Sequence, residues 1–391
     1  MKILSAPQIR EADQYTILHE PIPSINLMER AAHKVEEMLV NEFQSTQRVK
    51  HIFCGTGNNG GDGLAIARLL HLQQHIVIVY LLEGNPSKDY SINLQKIKEI
   101  REIECIQVNN INQLPEFQHS DIIIDAIFGT GLNRSIEGSI QKIVEYLNKL
   151  EDVLRIAIDI PTGLFADQAN HEKDTIFQSH RVYTFHAPKL AFLLPQNGHY
   201  VNSFKVLDIR LSSEFTENTD GQLYYLEKKN IKELFKFRNK FTHKGTFGHT
   251  LMIAGSKGKM GAAVLAAKAA LKSGTGLLTA HIPSEQNSIL QISIPEAMTS
   301  LDSHGDSWSE LPKINKNTIG VGPGIGTSHA TQAAFRQLLL QSSQPMVIDA
   351  DAINLLSLDP TILRLVPVNS ILTPHPKEFE RLTDSWVDDF D

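Results

Sequence analysis

The chain has 391 residues, of which 41% are hydrophobic and 21% charged, and its net charge is −7. That length allows two or three domains with a core each, and the acidic balance removes any electrostatic case for nucleic acid or an anionic membrane surface as partner. Cys54 and Cys105 are too few for a disulfide framework and lack metal-ligand spacing; with no signal-peptide pattern and no apolar run of membrane-spanning length, a reducing, cytoplasmic compartment is expected.

Two helices open the chain. Ser5 and Gln8 have capping-box spacing, with Pro7 in the opening turn. The second helix runs over 24–43, with Leu27, Ala31, Val35 and Leu39 on one face. Apolar runs then alternate with helical segments, and strands are expected at 49–54, 75–82, 121–127, 154–160, 181–185 and 204–209. Their near-continuous Ile/Val content is that of strands covered on both faces, so a mostly parallel sheet flanked by helices is expected. Residues 212–222, polar and without periodicity, form the linker candidate. The basic run from Lys228 to Lys244, Lys236 included, reads as a solvated helix face. A second α/β pattern follows: a strand at 250–254, a helix over 262–273, and strands at 276–282, 317–321, 345–349 and 370–373. The domains are thus expected at 1–215 and 222–391.

The first strand runs into a glycine loop and then a helix. Gly55, Gly57 and Gly60 satisfy the G-x-G-x-x-G spacing of a dinucleotide fingerprint. Glu83 stands about twenty residues on, where a ribose-binding acid would sit, so an NAD-dependent dehydrogenase is one reading. Against it, the loop also carries Asn58, Asn59 and Asp62, and a carboxylate repels a pyrophosphate unless a cation or another chemistry accounts for it. Two more strands end in an Asp beside glycine-containing loops: Asp125 in "DAIFGTGLNRS" and Asp159 in "DIPTGL". Asn carbonyls, a carboxylate and the hydroxyl of Thr162 are hard oxygen donors, suited to Mg²⁺, Ca²⁺ or a monovalent cation rather than zinc.

Residues 1 to about 215 resemble the epimerase of NAD(P)H-hydrate repair, in "GNNGGDG", "DAIFGTGL", "DIPTGL" and "TFHAPKLAF". The resemblance implies a Rossmann-like three-layer domain whose ligand is NAD(P)H hydrated at C6 of its ring, NAD(P)HX. It implies that Asn58, Asn59, Gly60, Gly61 and Asp62 line the substrate, with Gly129, Thr130, Gly131, Leu132, Asn133, Arg134, Ser135 and Asp159. It also implies that Asn59, Asp125 and Thr162 hold K⁺. Epimerisation at that carbon needs proton transfer, for which Asp159 is the first candidate and Lys189 its partner.

The second pattern resembles the ADP/ATP-dependent NAD(P)H-hydrate dehydratase, of ribokinase-like α/β fold, in "GVGPGIGTS", "VIDADAINLL" and "LTPHPKEFERL". Phosphorylation of the C6 hydroxyl by ATP or ADP with Mg²⁺ would make it a leaving group. Ala262, Gly326 and His375 would then touch the dinucleotide, and Glu378 would lie near the metal–phosphate region. Family members carry a G-x-G-D loop that does not occur among these residues, so this domain is expected to be incomplete, its C-terminal part missing, and its turnover doubtful. A nucleotide-sensing binding protein with an inactive kinase-like domain is the reading from another class. A homo-oligomer is compatible with the sequence, which marks no interface.

Overall fold

The computed structural model describes all residues except Gln222, Lys236 and 313–317. The last residue of the expected linker, Lys236 of the basic run and the first residue of the strand expected at 317–321 therefore lie outside the described residues. The chain divides into two compact units, Met1–Phe235 with Asp388–Asp391, and Lys236–Val387.

The first unit opens with α1 (Ala6–His19) and α2 (Ser24–Glu42), followed by β1 (Lys50–Cys54), α3 (Asn58–Leu72), β2 (Val77–Leu81), α4 (Lys88–Lys98) and β3 (Glu104–Gln107). Then come β4 (Ile122–Ala126), α5 (Gly138–Asn148), β5 (Leu154–Ile158), β6 (Arg181–Phe185), β7 (Phe204–Leu207), α6 (Ser213–Asn218) and α7 (Lys228–Leu234). The seven strands pair in parallel in the order β3-β2-β1-β4-β5-β6-β7. One apolar layer joins the sheet to α2, α3 and α4, and another joins its opposite face to α5. That is the three-layer arrangement that continuous apolar strands require.

The central strands were legible because they are buried throughout; β3 was not, since its four residues form a partly exposed edge without an apolar run. The expected linker is also corrected. Residues 213–218 fold into α6, whose first turn is capped by Ser212 Oγ accepting from Phe215 N at 3.3 Å. Beyond it the chain returns to its own start: Ile3 N donates to Leu223 O at 3.0 Å, and Tyr225 N to Met1 O at 2.8 Å. The basic run is not one helix face either, because α7 ends at Leu234 and Lys244 opens a separate 3₁₀ turn.

The second unit contains β8 (His249–Ile253), α8 (Met260–Ser273), β9 (Leu277–Pro283), α9 (Asn287–Ser293) and β10 (Met298–Asp302). It continues with β11 (Thr318–Val321), α10 (His329–Gln341), β12 (Met346–Ile348), α11 (Asp351–Leu358), β13 (Ile371–Leu372) and α12 (Pro376–Leu382). Its six-stranded sheet is parallel in the order β10-β9-β8-β11-β12-β13. β10, another partly exposed edge strand, is absent from the sequence reading for the same reason as β3.

Candidate functional site

In an open parallel sheet, ligands bind beyond the carboxyl ends of the strands where the strand order reverses. In the first unit that place lies between β1 and β4. A cavity of about 640 Å³ opens there, walled by the loops after β1, β4, β5 and β6 and by α1. Asn58, Asn59, Asp62, Gly129, Thr130, Gly131, Leu132, Asn133, Arg134 and Asp159 all line it. Three expected residues do not. Gly60 is a spacer: a Cβ there would stand 1.7 Å from Gly55 O, so only glycine lets α3 start against the β1 loop. Gly61 packs against Met28, where a Cβ would meet its sulfur at 2.9 Å. Ser135 turns away, its hydroxyl donating to Asp174 Oδ1 at 2.5 Å.

Glu83 does not share this cavity. It lies on a separate groove with Thr56, Gly84 and Tyr90, and accepts from Asn109 Nδ2 at 2.9 Å. The ribose role that a dehydrogenase would give it has no geometry here.

Asp125, buried at the end of β4, accepts from Thr162 N and Thr162 Oγ1, both at 2.7 Å, and from Ile127 N at 3.1 Å. Burial pushes its carboxyl up to about 6, against the lowering effect of those donors. Thr162 Oγ1 in turn accepts from Phe128 N at 3.0 Å. Next to Phe128, a Cβ on Gly129 would stand 3.4 Å from Asn59 Cβ, which brings Asn59 to the same loop. Both polar atoms of the Asn59 side chain are buried without a protein partner. A buried amide left unpaired costs about 1–3 kcal/mol, so a bound group that accepts the Asn59 oxygen as ligand fits this place. A cation held by Asn59 Oδ1 beside the Asp125 carboxylate and the Thr162 hydroxyl agrees with that donor set.

Asp159 follows β5 with φ +64°, in the left-handed region that Asp tolerates better than most residues, and its N–H donates to Tyr183 O at 2.7 Å. His186, after the neighbouring β6, has the same φ, +64°. Both residues line the cavity. The Lys189 side chain is 1% exposed, and its Nζ donates to Asp159 Oδ1 at 2.7 Å, Thr184 Oγ1 at 2.8 Å and Phe185 O at 3.3 Å. All three of its protons are thereby engaged, so Lys189 is a fixed counter-charge rather than a free base.

Two further carboxyls face the same space. Burial pushes Asp62 well above the usual carboxylate range, helped by the charges of Asp159, Asp13 and Asp89. A carboxyl that keeps its proton can donate to an anion instead of repelling it. Asp13 on α1 is pushed up to about 7 by burial and by Asp159, with Lys189 acting the other way. Asp13 and its neighbour Arg10 escaped the sequence reading: α1 was legible as a capped helix, but no motif tied it to the site.

In the second unit, Ala262 lies in the first turn of α8 after β8, Gly326 in the loop after β11, and His375 and Glu378 at the start of α12 after β13. Gly326 has φ +79° and donates its N–H to Asp351 Oδ2 at 2.9 Å, and Lys259 Nζ pairs with the same oxygen at 3.2 Å. Ala262 sits against this loop, since a Cβ on Gly324 would stand 3.0 Å from Ala262 Cβ. Small residues let α8 approach the glycine loop closely. His375 is not part of that contact: it caps α12, where His375 N donates to Glu378 Oε2 at 3.1 Å and its ring pairs with Glu378 Oε1 at 3.2 Å.

Residues 24–191 match a family model described as YjeF-related protein N-terminus, and residues 250–390 one described as NAD(P)H-hydrate dehydratase. The bifunctional NAD(P)H-hydrate repair enzyme of Moorella thermoacetica is 31% identical to this chain, over 98% of it and 75% of the relative. The enzyme of the same description from Dictyoglomus turgidum is 27% identical, over 99% and 77%. A solved structure, the ADP/ATP-dependent NAD(P)H-hydrate dehydratase from Bacillus subtilis co-crystallised with ATP/Mg²⁺, is 30% identical over 40% of this chain and 55% of its own, with a TM-score of 0.33.

Proposed function

The chain belongs to the family of bifunctional NAD(P)H-hydrate repair enzymes, and from that premise we propose how its residues divide the work. The first unit is the NAD(P)H-hydrate epimerase domain and the second the ADP/ATP-dependent NAD(P)H-hydrate dehydratase domain. The cavity of the first unit takes NAD(P)HX. Its pyrophosphate lies against the first turn of α3, where free main-chain N–H groups and the partial positive charge of a helix start favour an anion. A protonated Asp62 adds a donor there, and Gly129 to Arg134 cover the other side.

The hydrated ring carries its hydroxyl on a carbon next to nitrogen. Protonation of that hydroxyl lets the nitrogen lone pair expel water, and re-addition of water to the other face gives the other epimer. Asp159 is the group that gives and takes the proton, and Lys189 holds it in place. The observation that carries this reading is the left-handed Asp159, aimed into the cavity and pinned by a lysine with no proton to spare. Asn59, Asp125 and Thr162 would hold K⁺, whose charge offsets the carboxylates beside the dinucleotide.

In the second unit we assign the glycine loop at 322–326, with Ala262, to the hydrated dinucleotide and nucleotide phosphates. His375 and Glu378 stand at the start of α12 for contacts with the same ligands. ATP or ADP with Mg²⁺ supplies the phosphoryl group that makes the C6 hydroxyl a leaving group. No helix among the described residues is long and apolar enough to cross a membrane. The free thiols Cys54 and Cys105 go with a cytoplasmic, reducing location.

The test is chromatography of the epimer ratio, starting from pure (R)-NADPHX, with and without K⁺. Asp159→Asn should keep ligand binding and lose about 10²–10⁴-fold in rate, the span of general acid–base catalysis. A variant with full turnover would move the role elsewhere.

A further inference from the structure

Inversion at C6 makes a demand that one carboxyl does not meet. The hydroxyl leaves one face of the ring as water, and the incoming water loses its proton at the opposite face. Unless the ring turns over in the cavity, each face needs its own proton-transfer group. We propose that Asp13 is the second acid/base of the epimerase, acting on the ring face opposite to the one served by Asp159. The proposal rests on the epimerase reading above and names a residue outside the matched segment 24–191.

Four observations carry it. Asp13 lines the same cavity as Asp159 but reaches it from a different element, α1, rather than from a strand end. Among the described residues its carboxyl has no hydrogen-bond or ion-pair partner, whereas Asp159 is held by Lys189. The helix that bears it is fixed: Ser5 and Gln8 form a complete capping box, Ala6 N donates to Asp167 Oδ2 at 2.7 Å, and Thr16 Oγ1 accepts from Ser212 N at 2.9 Å. A side chain on so anchored an element is offered to the cavity, not left in solvent. Finally, burial holds its proton to about pH 7. The groups facing it are Arg10 on its own helix, Asp62 on α3, Asp159 after β5, and His186 and Lys189 after β6. The cavity thus pairs a carboxyl that keeps its proton with a carboxylate that is salt-bridged, an acid and a base for the two faces.

The step balances without any co-reactant. Asp13 gives its proton to the departing hydroxyl, the C6–O bond breaks with its electrons on oxygen, and the nitrogen lone pair closes a C6=N double bond. Water then bonds to C6 from the opposite face as its proton passes to Asp159, and the electrons of the double bond return to nitrogen. Exchange with solvent resets both carboxyls. The opposite epimer runs the same steps backwards, with Asp159 as acid.

The experiment uses the full chain and each pure epimer of NADPHX in ¹⁸O-water, following both inversion and label at C6. Asp13→Asn should slow inversion by about 10²–10⁴-fold in both directions. It should still exchange the C6 oxygen of one epimer without inverting it, because Asp159 alone can release and re-add water on its own face. Asp159→Asn should show the mirror pattern with the other epimer, and Asp13→Glu should recover part of the inversion. Inversion at the wild-type rate in Asp13→Asn overturns the proposal. So does a loss confined to KM, which would make Asp13 a binding group, or a loss of exchange for both epimers, which would make it a support. A wild-type chain that accelerates neither process fails the epimerase reading itself, a result separate from any behaviour of Asp13.

Discussion

At Lys189, three acceptors surround one ammonium that water scarcely reaches. Replacing it with methionine leaves the Asp159 carboxylate without its partner, and breaking a buried pair from one side costs about 3–5 kcal/mol. Lys189→Met should therefore lower the melting temperature of the first unit and abolish epimerisation, whereas a lysine of purely local structural use would cost stability alone. Lys189→Arg keeps the charge but not the three-acceptor geometry, and should fall between. Asp13 supplies a pH prediction. Its folded-state value of about 7 lies above the ordinary 3.8, so the folded unit keeps a proton that the unfolded chain releases. The stability this contributes is full below about pH 4 and is lost as the pH rises through 7. Asp13→Asn removes that loss: thermal melts across pH 5–8 should show a flatter profile, with the variant ahead of wild type at pH 8 by up to about 4 kcal/mol. Asp125 and Asp159 were legible in the sequence because each ends an apolar run beside glycine. Asp13 was not, since it becomes a site residue only when α1 is laid over a cavity made by strands far away in the chain.

Among the elements, the glycines show why a spacing match means less than the space around it. Gly60 keeps α3 within reach of the β1 loop, and a methyl there would collide with backbone at Gly55, which has nowhere to move. Gly60→Ala should destabilise the first unit by more than about 3 kcal/mol, the range of overpacking in a rigid core. Gly261, in the opening turn of α8, has nothing within 4 Å of a new Cβ. Gly261→Ala should instead stabilise the second unit, by up to about 1 kcal/mol of helix propensity. Paired denaturation curves check both signs. The sequence revealed strands in proportion to their burial: β1 and β4, covered on both faces, were plain, while the sheet edges β3 and β10 lacked the apolar run that would have announced them. The polar stretch that became α6 misled for a related reason, because six residues are too few to show a period.

For the molecule as a whole, each unit has cores of its own. Two apolar clusters lie on the two faces of the first sheet, and two others belong to the second unit. A chain segment with a complete core of its own can fold alone. Residues 1–235 expressed by themselves should therefore melt in one cooperative transition and keep the epimerase rate of the full chain. Loss of that rate with the fold intact would show that the second unit contributes to the first unit's chemistry. The α/β class and the order of the two halves could be read from the alternation of runs and from the motifs. The extent of the first unit could not, because it depends on pairing between residues more than two hundred positions apart.

That pairing sets a schedule. Met1, Lys2 and Ile3 meet Leu223, Tyr224 and Tyr225 through main-chain hydrogen bonds, so during synthesis these three residues wait for partners made more than two hundred residues later. At roughly 5–20 residues per second the interval is of the order of 10–45 s. During it the sheet can assemble strand by strand, while α1 still lacks the latch beside it. The cavity is therefore built floor first. The wall that carries Asp13 is secured last, and a nascent chain has a place for the dinucleotide before it has both of its proton-transfer groups in position.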